Sequence, residues 1–330
     1  MSATQRSRSA RTEHFYAITF ASLRAQAAHA TGAQAPEHVA PITLVEHLIK
    51  RKPDLAKRTW QTYKSAVRAQ LEHAAGQAPS LQDAQEIQYA IQILDSEGQA
   101  GALRRTNRTS ARKAKQIQDA DLQAIYDHLQ KLSANELEMR GPRSASARAL
   151  LTWCQATSLV GVRPGEWLHA DRITLPGGEP ALLVQNAKNT HGRGNGKTRT
   201  LKLGALSPEQ LESIEQMLEL VDGHRDAESF ARLTETLRKT LRRIAQRVLG
   251  KRRSYPALYS FRHQFAADAK SAGDGTATVA ALLGQASDET AIRNYAPARV
   301  GRGRVLVQPL PEEVATVRLK AKPKPFSRPK

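Results

Sequence analysis

The sequence predicts a mainly α-helical protein with a small β-sheet, arranged as two structured units. Three observations lead to that class. Apolar residues recur at three- and four-residue spacing along much of the 330-residue chain. Only three short stretches, 173–175, 181–185 and 200–203, read as strands. A run from Gly101 to Gln116 holds six basic residues and no acid, and it separates one helical pattern from the next.

The elements follow in order. Residues 1–40 read as an N-terminal arm with a short amphipathic helix around Phe15–Phe20; Glu13 and His14 interrupt the approach a signal peptide would need. Residues 41–100 read as a small helical unit. Leu44, Val45, Leu48 and Ile49 form one apolar face. Thr59 is placed to cap a helix burying Trp60, Tyr63, Val67 and Leu71. Ile87, Tyr89, Ile91 and Leu94 mark a further core-facing helix. Lys57, Arg58, Lys64 and Arg68 then face outward, where they can meet DNA. Residues 101–116 form a basic linker carrying Arg104, Arg105, Arg108, Arg112, Lys113 and Lys115. In the second unit, 117–300, Leu122, Ile125, Tyr126 and Leu129 mark one helix, and Ala147–Leu159, ended by Gly161, another. The last two strands flank a Gly-rich loop, Asn189–Thr198. Ser207-Pro208-Glu209-Gln210 is a capping box with Pro at the first helical position. Leu233, Leu237, Leu241, Ile244 and Val248 give a long amphipathic helix; Ser260–Ala272, Thr276–Leu283 and Asp288–Tyr295 follow. Residues 301–330 read as a basic C-terminal tail, with Val305-Leu306-Val307 suited to docking on a neighbouring subunit.

Charge narrows the function. Fifty Lys and Arg against 31 Asp and Glu leave a formal +19. The natural partner is a polyanion, with nucleic acid ahead of a membrane surface, for which no lipidation signal or membrane-spanning run is present. One Cys excludes a disulfide framework and a Cys-rich zinc site, and fits a cytoplasmic protein. The ten His show no metal-ligand spacing.

Four segments carry chemistry together. In Gly161-Val162-Arg163-Pro164-Gly165-Glu166 a helix ends and another begins, so a guanidinium and a helix start can face one anion. Asn186-Ala187-Lys188 closes a strand and leads into the hairpin loop. Tyr259-Ser260-Phe261-Arg262-His263 opens a helix on which Phe261 and Phe265 pack at i and i+4, leaving Arg262 near its start. Leu283-Gly284-Gln285 precedes Asn294-Tyr295 by about ten residues. Each segment alone has an ordinary structural explanation: a surface Arg, a basic hairpin, a core Tyr.

In this order and spacing the four segments resemble the tyrosine recombinase (phage integrase) family. The resemblance covers residues 41–300. It implies a helical core-binding domain at 41–100 and an α+β catalytic domain at 117–300. It implies Arg163, Lys188, Arg262 and Tyr295 as the catalytic Arg, Lys, Arg and Tyr. Tyr259 and Gln285 stand where the family usually has a His and a His or Trp. Each can donate a hydrogen bond to a phosphate. His263 reads as a structural His bonded to backbone, with active-site support as its alternative, because it lies about 100° round the helix from Arg262.

The implied reaction is cutting and rejoining of double-stranded DNA through a 3′-phosphotyrosyl link, without metal or other cofactor. Two guanidiniums would stabilise the crowded phosphate and favour the phenolate, and Lys188 would protonate the leaving 5′ oxygen. The resemblance also implies tetramers on DNA. A DNA-binding protein of the same fold that does not cut is the competing reading, since both usual imidazole positions are altered. A helix-turn-helix regulator built on Thr276–Tyr295 is a third, and leaves the three basic residues unexplained. A type IB topoisomerase would use similar chemistry, but the separate N-terminal helical unit favours a recombinase.

Overall fold

The computed structural model describes residues 10–103, 114, 116–134, 142–187, 194–303 and 305–320. The chain divides into two compact units, 1–108 and 109–330.

The first unit is a four-helix cluster: α1 (Ala10–Thr31), α2 (Pro41–Lys50), α3 (Lys57–Ala75) and α4 (Leu81–Ser96). Trp60, Leu44, Leu48, Val67 and Leu94 fill its centre, each fully or almost fully buried. Side chains of this kind contribute roughly 1.5–3 kcal/mol apiece on burial. The expected arm is corrected here. Leu23, Ala27 and Ala28 of α1 join this core, whereas Phe15 and Ile18 are about half exposed or more. The apolar contact thus begins at the end of the Phe15–Phe20 run, with Phe20 packed on the core, and continues about two turns beyond it. Two further expectations change. α3 begins before Thr59, because Ala56 accepts the first helical hydrogen bond (from Trp60 N, 2.9 Å) and pairs with Leu103. Tyr89 lies on the exposed side of α4.

Lys64 is also corrected. It is expected outward, yet its ammonium donates to the carbonyls of Asp95 (3.1 Å) and Glu97 (2.9 Å). α4 ends there with unpaired carbonyls and a partial negative charge, which a cation satisfies. Arg68 pairs with Asp95 (3.1 Å) and Glu72 (3.2 Å). Lys57 and Arg58 are exposed.

The second unit holds α5 (Asp119–Ala134), α6 (Pro142–Val160), α7 (Pro208–Asp222), α8 (Ala227–Leu249), α9 (Leu258–Ser271), α10 (Thr276–Leu282) and α11 (Asp288–Asn294). Strands β1 (Ala170–Thr174), β2 (Pro180–Gln185) and β3 (Thr198–Lys202) form an antiparallel meander. Ser207 caps α7, accepting from Gln210 N while Gln210 Oε1 accepts from Ser207 N, as the capping box predicts. α9 starts at Leu258 rather than Ser260; Ser260 sits in its first turn and accepts from Ala257 N (2.9 Å). Trp153, Trp167, Phe261 and Phe265 are the large residues of the core.

The expected tail is corrected over 305–320. Val307 and Val317 are buried in the unit's own core. Strand β4 (Gln308–Pro309) adds to β3 as a fourth strand, and α12 (Pro311–Ala315) follows. Glu313 accepts from Thr200 N (2.7 Å) and, through its carbonyl, from Asn195 Nδ2 (2.6 Å). Arg318 N donates to Ala286 O (3.0 Å), and Lys320 N to Asp288 Oδ1 (2.8 Å). The apolar run at 305–307 therefore finds its partner within the same unit. α10 is buried along Val279–Leu282.

Candidate active site

The site is built around one carboxylate. α6 ends at Val160, and Gly161 reverses the chain with φ +61°. A Cβ at Gly161 would lie 2.2 Å from the Phe265 ring, so α9 packs there only against glycine. The reversal sets Arg163 ahead of a 3-10 turn, Pro164–His169. Glu166, one turn on, is almost fully buried and accepts from Arg163 N (3.0 Å). Its carboxylate also takes the Arg163 guanidinium and Arg199 Nη2 (2.7 Å). Arg262 Nη1 lies 3.7 Å away. Three guanidiniums thus surround one acid, and two of them, Arg199 and Arg262, have no exposed surface.

Charge and burial set the protonation states. Burial alone would raise the Glu166 carboxyl, but Arg199, Arg262 and Arg163 together hold it well below the ordinary carboxylate range. Burial would lower Arg163, but Glu166 and the two site tyrosines leave it raised, so it is cationic at any working pH. One carboxylate against three cations leaves a net of about two buried positive charges, and burying unpaired charge is costly. Arg163 Nε, Arg199 Nε and both amide atoms of Gln285 are buried with no hydrogen-bond partner among the described residues. The arrangement therefore suits a bound anion.

Arg262 reaches the site from α9. Nη1 donates to Gly161 O and Nη2 to Leu283 O, both at 2.6 Å, and Nε donates to Tyr295 Oη at 3.0 Å. Tyr295 ends α11 and is 7% exposed. Burial pushes its phenol up, but Arg262 and Arg163 outweigh that, and hydrogen bonds from Tyr259 and Arg262 add to them. The phenol is drawn down to about 8. Tyr259 lies beside it, with the two hydroxyls 3.1 Å apart. Burial leads the causes that raise the Tyr259 phenol. The His263 ring packs on both tyrosines, at centroid distances of 5.0 Å and 4.9 Å.

Arg163, Tyr259, Arg262 and Tyr295 are thus brought together, with His263 against the two rings. Gln285 follows Gly284, whose absent side chain leaves room for Asn186 Oδ1 and Arg199. Lys188 lies outside the described residues, as do Arg104, Arg105, Arg108, Arg112, Lys113 and Lys115. The root of the Lys188 hairpin is described. Ala187 N donates to Glu166 Oε1 (3.2 Å), and Asn186 Nδ2 to Asn195 O (3.0 Å).

No sequence motif marks Arg199, and Glu166 stands in the sequence only as the last residue of the Gly161–Glu166 turn. Arg199 Nη1 donates to Asn186 Oδ1 at 2.5 Å, tying the end of β2 to the Glu166 carboxylate. One signal could have found it: Arg199 and Leu201 share a strand face, so an inward Leu predicts an inward Arg.

Two solved structures share this architecture. The XerH site-specific recombinase bound to palindromic difH substrate, in a post-cleavage complex, matches with a TM-score of 0.51 and 17% identity. That match covers 89% of this chain and 76% of that one. The XerH pre-cleavage complex with difH matches with a TM-score of 0.50 and 17% identity, over 85% of this chain and 75% of that one.

The chain has the tyrosine-recombinase fold.

No family model and no curated protein matches the sequence. Of the residues on which the sequence resemblance rests, Arg163 follows α6, Arg262 lies on α9 and Tyr295 follows α11. Among the described residues, no helix of the chain is long and apolar enough to cross a membrane.

Proposed function

We propose that the chain is a site-specific DNA recombinase or integrase that cuts and rejoins double-stranded DNA through Tyr295. The observation that carries this reading is the Tyr295 hydroxyl, 3.0 Å from Arg262 Nε in a pocket holding three guanidiniums and one carboxylate. A nucleophile beside a surplus of buried positive charge is what attack on a phosphodiester requires.

The steps follow from the groups. Arg163 and Arg262 grip the non-bridging phosphate oxygens. Tyr295 Oη loses its proton and forms a bond to phosphorus, and the bond from phosphorus to the 5′ oxygen breaks. Lys188 supplies the proton that the 5′ oxygen takes up. The 3′-phosphotyrosyl link keeps the bond energy, and attack by a 5′ hydroxyl reverses the step. Gln285 offers an amide N–H to the phosphate. Lys57, Arg58 and the basic residues of 104–115 would neutralise backbone phosphates. Strand exchange by this route calls for a tetramer on DNA, and the reading carries with it a cytoplasmic location.

The test is a nicked suicide duplex drawn from DNA flanking the gene. A covalent protein–DNA adduct is expected, and it disappears in Tyr295→Phe. Binding without any adduct would instead support a DNA-binding protein that does not cut. One observation favours that second reading: every donor nitrogen of Arg262 is already engaged within the protein.

A further inference from the structure

We propose that Tyr259 acts on the nucleophile rather than on the phosphate: its hydroxyl is the donor that holds Tyr295 as a phenolate. This rests on the reading of Tyr295 as the nucleophile.

The geometry carries it. Arg262 Nε lies 3.0 Å from Tyr295 Oη, and Tyr259 Oη lies 3.1 Å from it. Arg262 Nε–H can only donate. While both phenols are protonated, either can donate to the other. Once Tyr295 loses its proton its oxygen only accepts, so Tyr259 must donate, and the bond becomes charge-assisted. Two donors then converge on one phenolate oxygen.

Other groups around the pair favour that direction of transfer. Arg163, from the turn after α6, faces the pair from one side, with Glu166 behind it. From α9 come Arg262, with its guanidinium carbon 5.5 Å from the Tyr295 ring centre, and His263, packed on both rings. Lys270, also on α9, donates to Ala296 O at 2.9 Å, one residue beyond Tyr295. Burial draws that ammonium down to about 8. The two phenols respond oppositely to these surroundings, with Tyr295 lowered and Tyr259 raised. Tyr295 therefore ionises first, and Tyr259 remains the neutral donor. Tyr259 is a poor base at neutral pH, and in this arrangement it need not be one. The proton from Tyr295 goes to solvent, and Tyr259 stabilises what is left.

The experiment has two arms on the full chain. In the first, without DNA, tyrosine labelled with 13C at the ring ζ position is titrated by NMR, with Tyr295→Phe assigning the signal. Wild-type Tyr295 should ionise near 8, and Tyr259→Phe should move it up by about one unit, tenfold in phenolate fraction at pH 7. Phe keeps the ring that packs on His263, so a merely structural role would leave the titration in place. A shift below about 0.3 units overturns the proposal. In the second arm, the rate of adduct formation on the suicide duplex is followed against pH. Tyr259→Phe should displace the acidic limb upward by the same amount and leave the high-pH plateau within about twofold. A uniform loss at all pH values overturns the proposal. A wild-type protein that titrates as stated but forms no adduct upholds the phenol pair and refutes the recombinase reading instead.

Discussion

Glu166→Gln isolates the charge balance at the centre of the site. The carboxylate accepts from Arg163 N at 3.0 Å, Ala187 N at 3.2 Å and Arg199 Nη2 at 2.7 Å, and it also pairs with the Arg163 guanidinium. Gln keeps the shape and one acceptor oxygen. It replaces the other oxygen with an amide that points N–H at a guanidinium, and it leaves three buried cations without an anion. Removing one partner of a buried ion pair costs about 3–5 kcal/mol. That is a large fraction of a total stability of about 5–15 kcal/mol. Trp60 is the only Trp of the first unit, and Trp153 and Trp167 are both in the second. In a Trp60→Phe background, tryptophan fluorescence in a urea titration therefore reports the second unit alone. Sulfate should restore part of the loss, since an oxyanion that binds the native pocket stabilises it by mass action. A loss below about 1 kcal/mol would show that the carboxylate does not balance the three arginines, and the argument for an anion-binding pocket would fail with it. The same charge sets an acid limb. The folded Glu166 is depressed below its unfolded value. Its contribution is complete above the ordinary carboxylate range and is lost as pH falls from there toward the depressed value. Glu166→Gln should flatten that part of the stability profile.

Other outcomes follow from neighbouring contacts. Gly284→Ala puts a Cβ 2.1 Å from Asn186 Oδ1 and 2.8 Å from Arg199 Nη1, at φ +59°. The left-handed backbone adds about 1–2 kcal/mol and the overpacking about 1–3 kcal/mol, so the second unit should melt earlier and adduct formation should be lost. Wild-type cleavage by this variant would contradict the close packing of β2, β3 and the Gly284 turn. Glu313→Ala leaves Thr200 N without its acceptor and should cost about 1–3 kcal/mol in the same urea titration. The double change Lys57→Ala with Arg58→Ala should reduce the slope of log affinity against log salt by about two, measured by fluorescence anisotropy on duplex DNA. Lys64→Ala should leave that slope unchanged and lower the stability of the first unit, because its ammonium is spent on the end of α4.

The sequence was informative where a pattern has one physical cause. Helices α2–α11 follow from apolar spacing and caps, and the three-strand meander follows from the strand runs around a Gly-rich loop. The site was legible where each residue carries a motif position, as Arg163, Arg262 and Tyr295 do. Glu166 and Arg199 were not, because their role depends on pairing between segments 33 residues apart. No local periodicity encodes that pairing. Lys64 misled for a related reason. Its charge suggests an outward role, yet at 100° per residue it lies only about 40° round the helix from Trp60, and the wheel does not show that α4 ends beside it. The stretch 305–320 was read by composition, and its surplus of Pro and Lys lies mostly beyond it. Three apolar residues at 305–307 were enough to bring the chain back onto the sheet.

That return has a consequence for biosynthesis. Tyr295 leaves the ribosome before Val307, Glu313 and Arg318 do. Until they emerge, β3 has a bare edge, Thr200 N lacks its acceptor, and the turn holding Gln285 is unpinned at Ala286. A nascent chain therefore already carries Tyr295 while the wall behind it is still missing. The frame around the pocket arrives late and together with the last structural pieces, so a product truncated near residue 300 would keep Tyr295 and the guanidiniums without the segment that closes the sheet and the Gln285 turn.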